Sequence, residues 1–371
     1  MWIAHAITFV MHGPLFAGVA FLVGAPWAAL FCLALFVATA ARLQTLVREG
    51  RRTRWETSLV DIPVFVHWAA CLLSTFPLFP AFVLSGAIVN AVSGLGWGAV
   101  HVLGVGGLLA YGLAFVVGAY GSTLRRRWVR VVHVDVPIAS LAPELDGYRI
   151  AQMSDLHIGN FDSKQRGLEW AAKVNRLEAD LVAVTGDLVT SGTAFYEDVA
   201  EVIGAVRAKD GVFVSLGNHD QWNPDELTKR IEAHGPVVLR NQWRAIRRGA
   251  AELVVAGLDD RSSDRDDIEA TLAGRPARAP TVLLSHYPDF FDEAAKRRVE
   301  LTLSGHTHGG QIAVPFMAQR ASLSTLARQT RPGLHQRGPS RLYVNAGLGT
   351  TGPPFRLGIP PEITVFVLRS T

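Results

Sequence analysis

Cysteine is almost absent from this chain of 371 residues. It has 2 cysteines, Cys32 and Cys71, and both lie within apolar segments of the first third. The rest of the chain has none, which excludes a disulfide framework and a cysteine-based zinc site there. Charged residues are also sparse, at 18%, whereas hydrophobic residues reach 49%. Any metal chemistry in the charged part must therefore use nitrogen and oxygen ligands.

The hydrophobic residues are concentrated in residues 1–124, and residues 125–371 form an ordinary mixed sequence. We therefore predict two domains with a boundary at about residue 124. Four apolar runs, at 3–23, 27–41, 59–80 and 97–120, are long enough as helices to cross about 30 Å of hydrocarbon. Pro77 and Pro80 blur the end of the third run, which could continue to Val92, so a fifth helix remains an alternative. Because no basic segment precedes the first run and further runs follow, a signal peptide is disfavoured.

Arginines cluster in two connections of this apolar region. They are Arg42, Arg48, Arg51, Arg52 and Arg54 after the second run, and Arg125, Arg126, Arg127 and Arg130 after the fourth. Basic loops tend to remain in the cytoplasm, so four helices would place the charged domain on the cytoplasmic side. A fifth helix would place it outside. His5, His12, His67 and His101 lie in the apolar runs without a shared spacing, and we interpret them as packing or interface residues.

Beyond residue 125 the pattern alternates between short apolar strands and amphipathic helices. "RVVHVDVPIA" resembles an edge strand, and apolar strands such as "ADLVAVT" are followed by helical segments such as "FYEDVAEVIGAVRAK". This rhythm predicts an α/β fold in which later strands form a second sheet packed on the first. Residues 318–340, rich in Arg, Ser and Gln, are expected to form a long flexible loop.

The ends of five predicted strands carry side chains that can bind metals. The motifs are "SDLH" with Asp155 and His157, "GD" with Asp187, "GNHD" with Asn218 and His219, "SHYP" with His286, and "GHTH" with His306 and His308. Open α/β sheets bind ligands beyond the carboxyl ends of their strands, so these motifs should meet. Residues two apart point the same way if the extended conformation persists.

The donor set is mixed nitrogen and oxygen, which suits Mn²⁺, Fe or Zn²⁺ better than Ca²⁺. Seven ligands are too many for one tetrahedral ion. They suit two divalent ions about 3.5–4 Å apart that share one carboxylate. Taken singly, each motif can be a turn or a structural histidine, and only their joint occurrence indicates a dinuclear centre.

Together these motifs resemble the signature blocks of the calcineurin-like metallophosphoesterases, over residues 131–371. The C-terminal "YVNAGLGTTGPPFRLGIPPEITVFVL" resembles the membrane-associated bacterial branch, which includes enzymes similar to UDP-2,3-diacylglucosamine hydrolases. The resemblance implies a four-layer sandwich of two mixed sheets flanked by helices, preceded by about four transmembrane helices. It also implies a multi-pass protein of the bacterial inner membrane.

The resemblance assigns a role to each motif residue. Asp155, His157 and His308 would bind the first metal, Asn218, His286 and His306 the second, and Asp187 would bridge both. His219 would be the catalytic histidine, and Asp220 would orient it unless it merely caps a helix. Arg356 is a candidate contact for substrate phosphate, with a structural arginine as the alternative. Trp222 and Phe316 could touch a lipid or a base, or pack in the core.

The favoured function is hydrolysis of a phosphodiester or pyrophosphate in a membrane-associated lipid or nucleotide-lipid, with Mn²⁺ as the favoured metal. Lipid A biosynthesis is the context that the resemblance implies. A lipid substrate is favoured because a substrate embedded in the bilayer would be within reach of the site. Alternatives are a phosphodiesterase for phospholipids or soluble cyclic nucleotides, and a non-enzymatic membrane scaffold. Nucleic-acid binding is not expected, since basic residues are not interleaved with aromatics. The sequence leaves the oligomeric state open.

Overall fold

The computed structural model describes residues 2–46, 50–139, 141–314, 317 and 322–371, so Phe316 lies outside the described residues. The chain divides into two compact units. The first, here the helical unit, comprises Met1–Arg48, Arg52–Arg125 and Gly352–Phe355. The second, here the sheet unit, comprises Glu49–Arg51, Arg126–Thr351 and Arg356–Thr371.

The helical unit is built from apolar helices. They are α1 (Trp2–Val10), α2 (Gly13–Val23), α3 (Ala25–Thr45), α4 (Ile62–Leu73), α5 (Phe79–Ser93) and α6 (Ala99–Ala119), with π-helical turns at Glu56–Asp61, Ser74–Leu78 and Tyr120–Leu124. In the described part of the chain, these combine into four continuous spans that are long and apolar enough to cross a membrane. The spans are Ala4–Val23, Ala25–Thr45, Glu56–Ser93 and Ala99–Arg127. The prediction of four long apolar helices is confirmed.

The third span has 38 residues, and the segment considered as a possible fifth helix continues this span as one helix. At 1.5 Å per residue it is about 57 Å long, well beyond the thickness of the hydrocarbon. Its first turns hold the buried Asp61, which pairs with Arg52 and lies 3.5 Å from Arg42. Pro77 falls within a π-helical turn, where the missing N–H and the bulk of the ring are accommodated without ending the helix.

Small residues allow α2 and α6 to pack closely. An added Cβ at Gly107 would collide with the carbonyl of Pro14, and one at Gly104 would collide with Phe21. Without a hydrophobic driving force between apolar helices, such close backbone contact is a main source of association. Phe21 also packs against His101, with ring centroids 5.3 Å apart, in agreement with the packing role expected for that histidine.

The sheet unit contains all the strands of the described chain. They are β1 (Arg130–Ile138), β2 (Arg149–Met153), β3 (Leu181–Thr185), β4 (Val212–Ser215), β5 (Val237–Val238), β6 (Gln242–Arg248), β7 (Ala251–Gly257), β8 (Thr281–Leu284), β9 (Leu301–Ser304), β10 (Gly333–Arg337), β11 (Ser340–Val344) and β12 (Glu362–Ser370). Its helices are α7 (Lys164–Asn175), α8 (Tyr196–Gly204), α9 (Pro224–Ala233), α10 (Ile268–Leu272), α11 (Phe291–Lys296) and α12 (Leu323–Leu326).

The strands form two six-stranded mixed sheets. The first has the order β1-β12-β2-β3-β4-β5 and the second β10-β11-β9-β8-β7-β6. One apolar cluster joins the facing sides of both sheets, including Ile150 and Phe213 from the first and Leu253 and Leu303 from the second. A second cluster packs α7, α8 and α9 on the outer side of the first sheet, and a third packs α10 and α11 on the second. The predicted four-layer sandwich is confirmed.

Local patterns account for most of these elements. Helix α7 buries Gly167, Trp170, Ala171 and Val174, which recur at helical spacing. Helix α9 starts at Pro224, directly after an asparagine whose side chain accepts a backbone N–H of the first turn.

The expectation of a long flexible loop at 318–340 is wrong for its described part. Residues 322–340 include α12 and the edge strand β10, which pairs antiparallel with β11 from Gly333↔Val344 to Arg337↔Ser340. Pairing with a distant strand orders this polar segment, and its composition alone does not reveal that pairing.

Candidate metal centre

The carboxyl ends of the parallel strands of both sheets deliver the predicted motif residues. Strands β2, β3 and β4 run parallel in the first sheet, and β7, β8 and β9 run parallel in the second. Each motif begins within three residues of the end of its strand. The structure brings all seven predicted ligand residues into two adjoining groups.

The first group consists of Asp155, His157, Asp187 and His308. Nε2 of His157 lies 3.0 Å from Nε2 of His308 and 3.6 Å from Oδ2 of Asp187. Nε2 of His308 lies 3.3 Å from Oδ1 of Asp155. All four side chains are buried, and their ligand atoms lie within 4.8 Å of one another. A single ion could contact all four.

The second group consists of Asp187, His286 and His306, with Asn218 beside them. Oδ2 of Asp187 lies 3.3 Å from Nε2 of His286. Nδ1 of His306 lies 3.3 Å from that same nitrogen and 3.1 Å from Oδ1 of Asn218. Asp187 is therefore common to both groups, and the two histidines of "GHTH" are divided between them.

The backbone at these positions differs from the extended conformation considered from the sequence. Asp155, His157, Asp187, His306 and His308 all have positive φ, between 46° and 67°. Strands β2 and β9 end two residues before Asp155 and His306, respectively, so strict alternation of side chains no longer applies. Left-handed backbone costs about 1–2 kcal/mol at a residue with a Cβ. Such strain is typical of functional sites.

Glycines give the ligand-bearing loops room to meet. An added Cβ at Gly217 would collide with Oδ1 of Asp187, and one at Gly305 would collide with Oδ2 of Asp155. These collisions explain why "GNHD" and "GHTH" each begin with glycine.

The candidate ligands differ in the direction in which their surroundings shift their pKa values. Burial opposes ionisation of Asp187, but the adjacent His286 holds the pKa of this carboxyl well below its usual value. Burial also opposes protonation of His286, but the carboxylate of Asp187 raises the pKa of His286 to about 10. Burial lowers the pKa of His157 to about 3 and raises the pKa of Asp155 to about 6. The opposite shifts in the pKa values of Asp187 and His286 show that these two groups stabilise each other's charge, and a bound cation would take the place of the proton on His286.

The donor set fits divalent cations. Oδ2 of Asp155 is buried and has no hydrogen-bond partner. Burial also lowers the pKa of His306 to about 4 and holds that of His308 well below its usual value, so both offer lone pairs at neutral pH. Carboxylates and imidazoles that converge in this way, with the pKa values of three imidazoles lowered by burial, are ligands for Mn²⁺, Fe or Zn²⁺.

His219 belongs to neither group. Its Nδ1 lies 2.5 Å from the carbonyl oxygen of Thr190 and donates to it. Nε2 is therefore the nitrogen left to act on a ligand. His219 lines a cavity of about 260 Å³ together with Asp187, Asn218, His306 and His308. The partner that orients the ring is thus a backbone carbonyl, which the sequence motif does not reveal.

Asp220 does not orient His219, contrary to the sequence-based expectation. It is fully buried, and its Oδ1 accepts the backbone N–H groups of Leu188 and Val189 at 2.9 and 3.2 Å. Its Oδ2 accepts the N–H of Gly217 at 2.9 Å. Asp220 ties the "GD" loop to the "GNHD" loop and caps the 3₁₀ turn Asn218–Asp220.

Arg356 does not contact substrate either, because it is completely buried. Its guanidinium donates to the carbonyls of Ala346, Gly347 and Gly349 at 2.6–3.2 Å. One of its nitrogens lies 3.3 Å from Nδ1 of His308. The structural alternative is correct, since Arg356 holds together the loop behind a candidate ligand.

Two residues near the centre have contacts that sequence reasoning missed. The hydroxyl of Tyr287 donates to Oδ1 of Asn218 at 3.2 Å, and its ring lies 4.2 Å from that of His306. Gln311 lines the cavity and donates to the carbonyl of Thr351. Both stand in quoted motifs, "SHYP" and "GHTHGGQ", which was the signal available. Trp222, three residues beyond His219, is 54% exposed and does not pack in the core.

Comparison with known proteins agrees with this geometry. A family model for calcineurin-like phosphoesterases matches residues 148–310. An uncharacterised metallophosphoesterase of Bacillus subtilis is 30% identical over 275 residues, 72% of this chain and 96% of that protein. One from Aquifex aeolicus is 30% identical over 267 residues, 69% of this chain and 98% of that protein. A transmembrane protein with a metallophosphoesterase domain from Danio rerio is 29% identical over 280 residues, 71% of this chain and 62% of that protein.

Proposed function

The chain belongs to the calcineurin-like metallophosphoesterases, and from this premise we propose that it hydrolyses a phosphodiester or pyrophosphate bond in a membrane-associated lipid. The favoured substrate is UDP-2,3-diacylglucosamine or a lipid of the same chemistry, within lipid A biosynthesis. The observation that carries the hydrolase function is the position of Asp187 in two groups of metal-binding side chains beside one cavity.

The candidate ligands would be divided between two cations. Asp155, His157 and His308 would hold one cation, Asn218, His286 and His306 the other, and Asp187 both. When bound, two such cations neutralise phosphoryl oxygens and lower the pKa of water, and Mn²⁺ is the favoured metal. Five of the seven ligand side chains are buried, and the side chains of Asn218 and His306 contact each other and Tyr287.

His219 would act on the substrate directly. Its Nδ1–H is engaged by the carbonyl of Thr190, which fixes the ring and leaves Nε2 available. A protonated Nε2 can deliver its proton to the departing oxygen or donate a hydrogen bond to the phosphoryl group. Neither role requires His219 to bind metal, and it belongs to neither ligand group.

Exposed apolar side chains that lie within six residues along the chain of the cavity-lining Gln311 or Gln329 support a lipid substrate. Val314, Met317, Leu323 and Leu326, here the apolar rim, are 51%, 49%, 44% and 78% exposed. The backbone N–H of Leu323 bonds to residue 312, next to the cavity-lining Gln311. Neighbouring exposed apolar side chains often mark a site for an apolar ligand.

The hydrolase proposal is tested with purified full-length protein in detergent. With Mn²⁺ added, we expect hydrolysis of UDP-2,3-diacylglucosamine and of bis-p-nitrophenyl phosphate. Metal content is measured on the same samples. If two metals are bound and neither compound is hydrolysed, the proposal fails and the non-enzymatic scaffold is favoured.

The apolar rim gives a separate test of the substrate class. Burying one leucine is worth about 1.5–3 kcal/mol, so the double variant Leu323→Glu, Leu326→Glu should lower kcat/KM for the diacylated substrate about tenfold or more. Activity on bis-p-nitrophenyl phosphate should hardly change. Leu334→Glu, at an exposed leucine of edge strand β10, is the matched control. Equal effects on both substrates would instead favour a soluble substrate such as a cyclic nucleotide.

The proposed location is the bacterial inner membrane, with the sheet unit on the cytoplasmic side. Four candidate spans support this orientation, since an even number returns the chain to the side on which it starts. Both arginine clusters would then face the cytoplasm. A C-terminal alkaline phosphatase fusion should be inactive and a C-terminal fluorescent protein fusion bright, and the opposite pattern would place the sheet unit outside.

A further inference from the structure

We propose a second metal site, formed by His12, His67 and Cys71 within the helical unit. These three side chains are buried, at 4%, 7% and 0% exposure. Each offers a ligand atom, and the three atoms lie within 4.8 Å of one another. This cluster, here the helical-unit triad, is independent of the phosphoesterase centre and shares no residue with it.

Three helical segments bring the helical-unit triad together. His67 and Cys71 are four residues apart on α4, which places them on the same face of that helix. His12 occupies the break between α1 and α2. Tyr111, from α6, adds a hydroxyl 2.7 Å from Nδ1 of His67. Only His67 and Cys71 have a helical spacing, and His12 and Tyr111 join them from other helices, so spacing along the chain does not indicate the whole cluster.

Two separations between ligand atoms are close to those of a tetrahedral site. Nε2 of His67 lies 3.1 Å from Nε2 of His12 and 3.7 Å from Sγ of Cys71. With metal–nitrogen and metal–sulfur bonds of about 2.0 and 2.3 Å, tetrahedral angles give ligand separations of about 3.3 and 3.6 Å. Sγ of Cys71 also lies 3.9 Å from Nδ1 of His67, so the thiol faces the imidazole ring and the Cys71 side chain would have to turn towards Nε2 to bind the same ion.

Both imidazoles are also oriented as metal ligands are. Nδ1 of His12 lies 2.8 Å from the carbonyl oxygen of Thr8, and Nδ1 of His67 meets the hydroxyl of Tyr111. Metal-bound histidines usually donate the other ring N–H to such an oxygen, which fixes the tautomer. Both Nε2 atoms then carry lone pairs that point at each other, an arrangement that a cation stabilises.

The ligand chemistry indicates a soft or borderline ion. A thiolate with two imidazoles suits Cu⁺ or Zn²⁺ and disfavours Mg²⁺, Ca²⁺ and Mn²⁺. Cu⁺ with one thiolate is neutral, whereas Zn²⁺ would leave one positive charge among apolar helices, where net charge is costly. We therefore expect Cu⁺ to bind more tightly than Zn²⁺.

The two cysteines make a selective test possible. Co²⁺ bound to a thiolate gives a charge-transfer absorption band, and the sheet unit has no cysteine, so only the helical unit can produce it. We expect the band in full-length protein and in Cys32→Ser, its loss in Cys71→Ser, and its weakening in His12→Asn. Cu⁺ should abolish the band at lower concentration than Zn²⁺. Uniform elution in detergent checks the fold of each variant.

Three results would overturn the proposal. They are absence of the band in the unaltered protein, its persistence in Cys71→Ser, or its survival when Cu⁺ and Zn²⁺ are both in excess. In those cases the helical-unit triad is a hydrogen-bonded chain, in which Tyr111 donates to His67, His67 to His12, and His12 to Thr8. Because bis-p-nitrophenyl phosphate hydrolysis is measured separately, failure of this proposal is distinguishable from failure of the proposed enzyme.

Discussion

Replacement of His219 by alanine should remove catalysis while leaving the metals in place. His219 lines the cavity but belongs to neither ligand group. Loss of a positioned acid costs about 10²–10⁴ in rate, which is about 2.7–5.4 kcal/mol at 1.36 kcal/mol per tenfold. The assay compares kcat and metal content of His219→Ala with those of His133→Ala, which alters an exposed histidine on β1.

The leaving group refines this prediction. p-Nitrophenolate is a good leaving group that departs readily without a proton, whereas the more basic phenolate depends more strongly on receiving one. If His219 protonates the departing oxygen, its removal should slow diphenyl phosphate hydrolysis more than bis-p-nitrophenyl phosphate hydrolysis. Equal losses would indicate that it stabilises phosphoryl charge instead. Unchanged kcat, or metal lost together with activity, would refute the reasoning.

Three further outcomes follow from the surroundings of the centre. Burial opposes protonation of His286, but Asp187 raises the pKa of His286 to about 10, so metal binding must displace a proton from it. The apparent metal affinity should therefore rise by up to about tenfold per pH unit between pH 6 and 8. Calorimetry that shows no pH dependence of the affinity would contradict this. Asp220→Asn should lower the melting temperature, because unpaired backbone N–H groups cost about 1–3 kcal/mol of folding free energy. A loss of kcat as large as that of His219→Ala, at unchanged stability, would instead indicate that Asp220 orients His219. Arg356→Met should destabilise the sheet unit by about 3 kcal/mol, because buried carbonyls lose their hydrogen-bond donors, and thermal unfolding measures this loss. A stable variant with a raised KM would instead indicate that Arg356 contacts substrate.

The sequence predicts that these candidate ligands converge, because its signals are local. Each motif follows an apolar strand, and parallel strands deliver their carboxyl ends to one edge, so Asp155, Asp187 and His286 could be expected to meet without knowing their contacts. The four apolar spans are equally local, since length and composition decide them.

The errors concern contacts that depend on distant parts of the chain. Asp220 is expected to orient His219 because carboxylates often orient histidines, and Arg356 is expected to contact substrate because a guanidinium matches a phosphate. The structure instead surrounds both side chains with backbone groups from loops that the sequence does not align. Strand β12 inserts between β1 and β2, parallel to one and antiparallel to the other, and no local pattern specifies that position. His12 and His67 meet Cys71 only through helix packing.

Electron paramagnetic resonance of the Mn²⁺-loaded protein can show whether Asp187 is shared by two cations. Two Mn²⁺ ions joined through one carboxylate should give the spectrum of an exchange-coupled pair. Asp187→Asn should abolish the coupling and the hydrolysis together. Well-resolved signals from isolated Mn²⁺ ions in the unaltered, active protein would show that Asp187 does not join two ions.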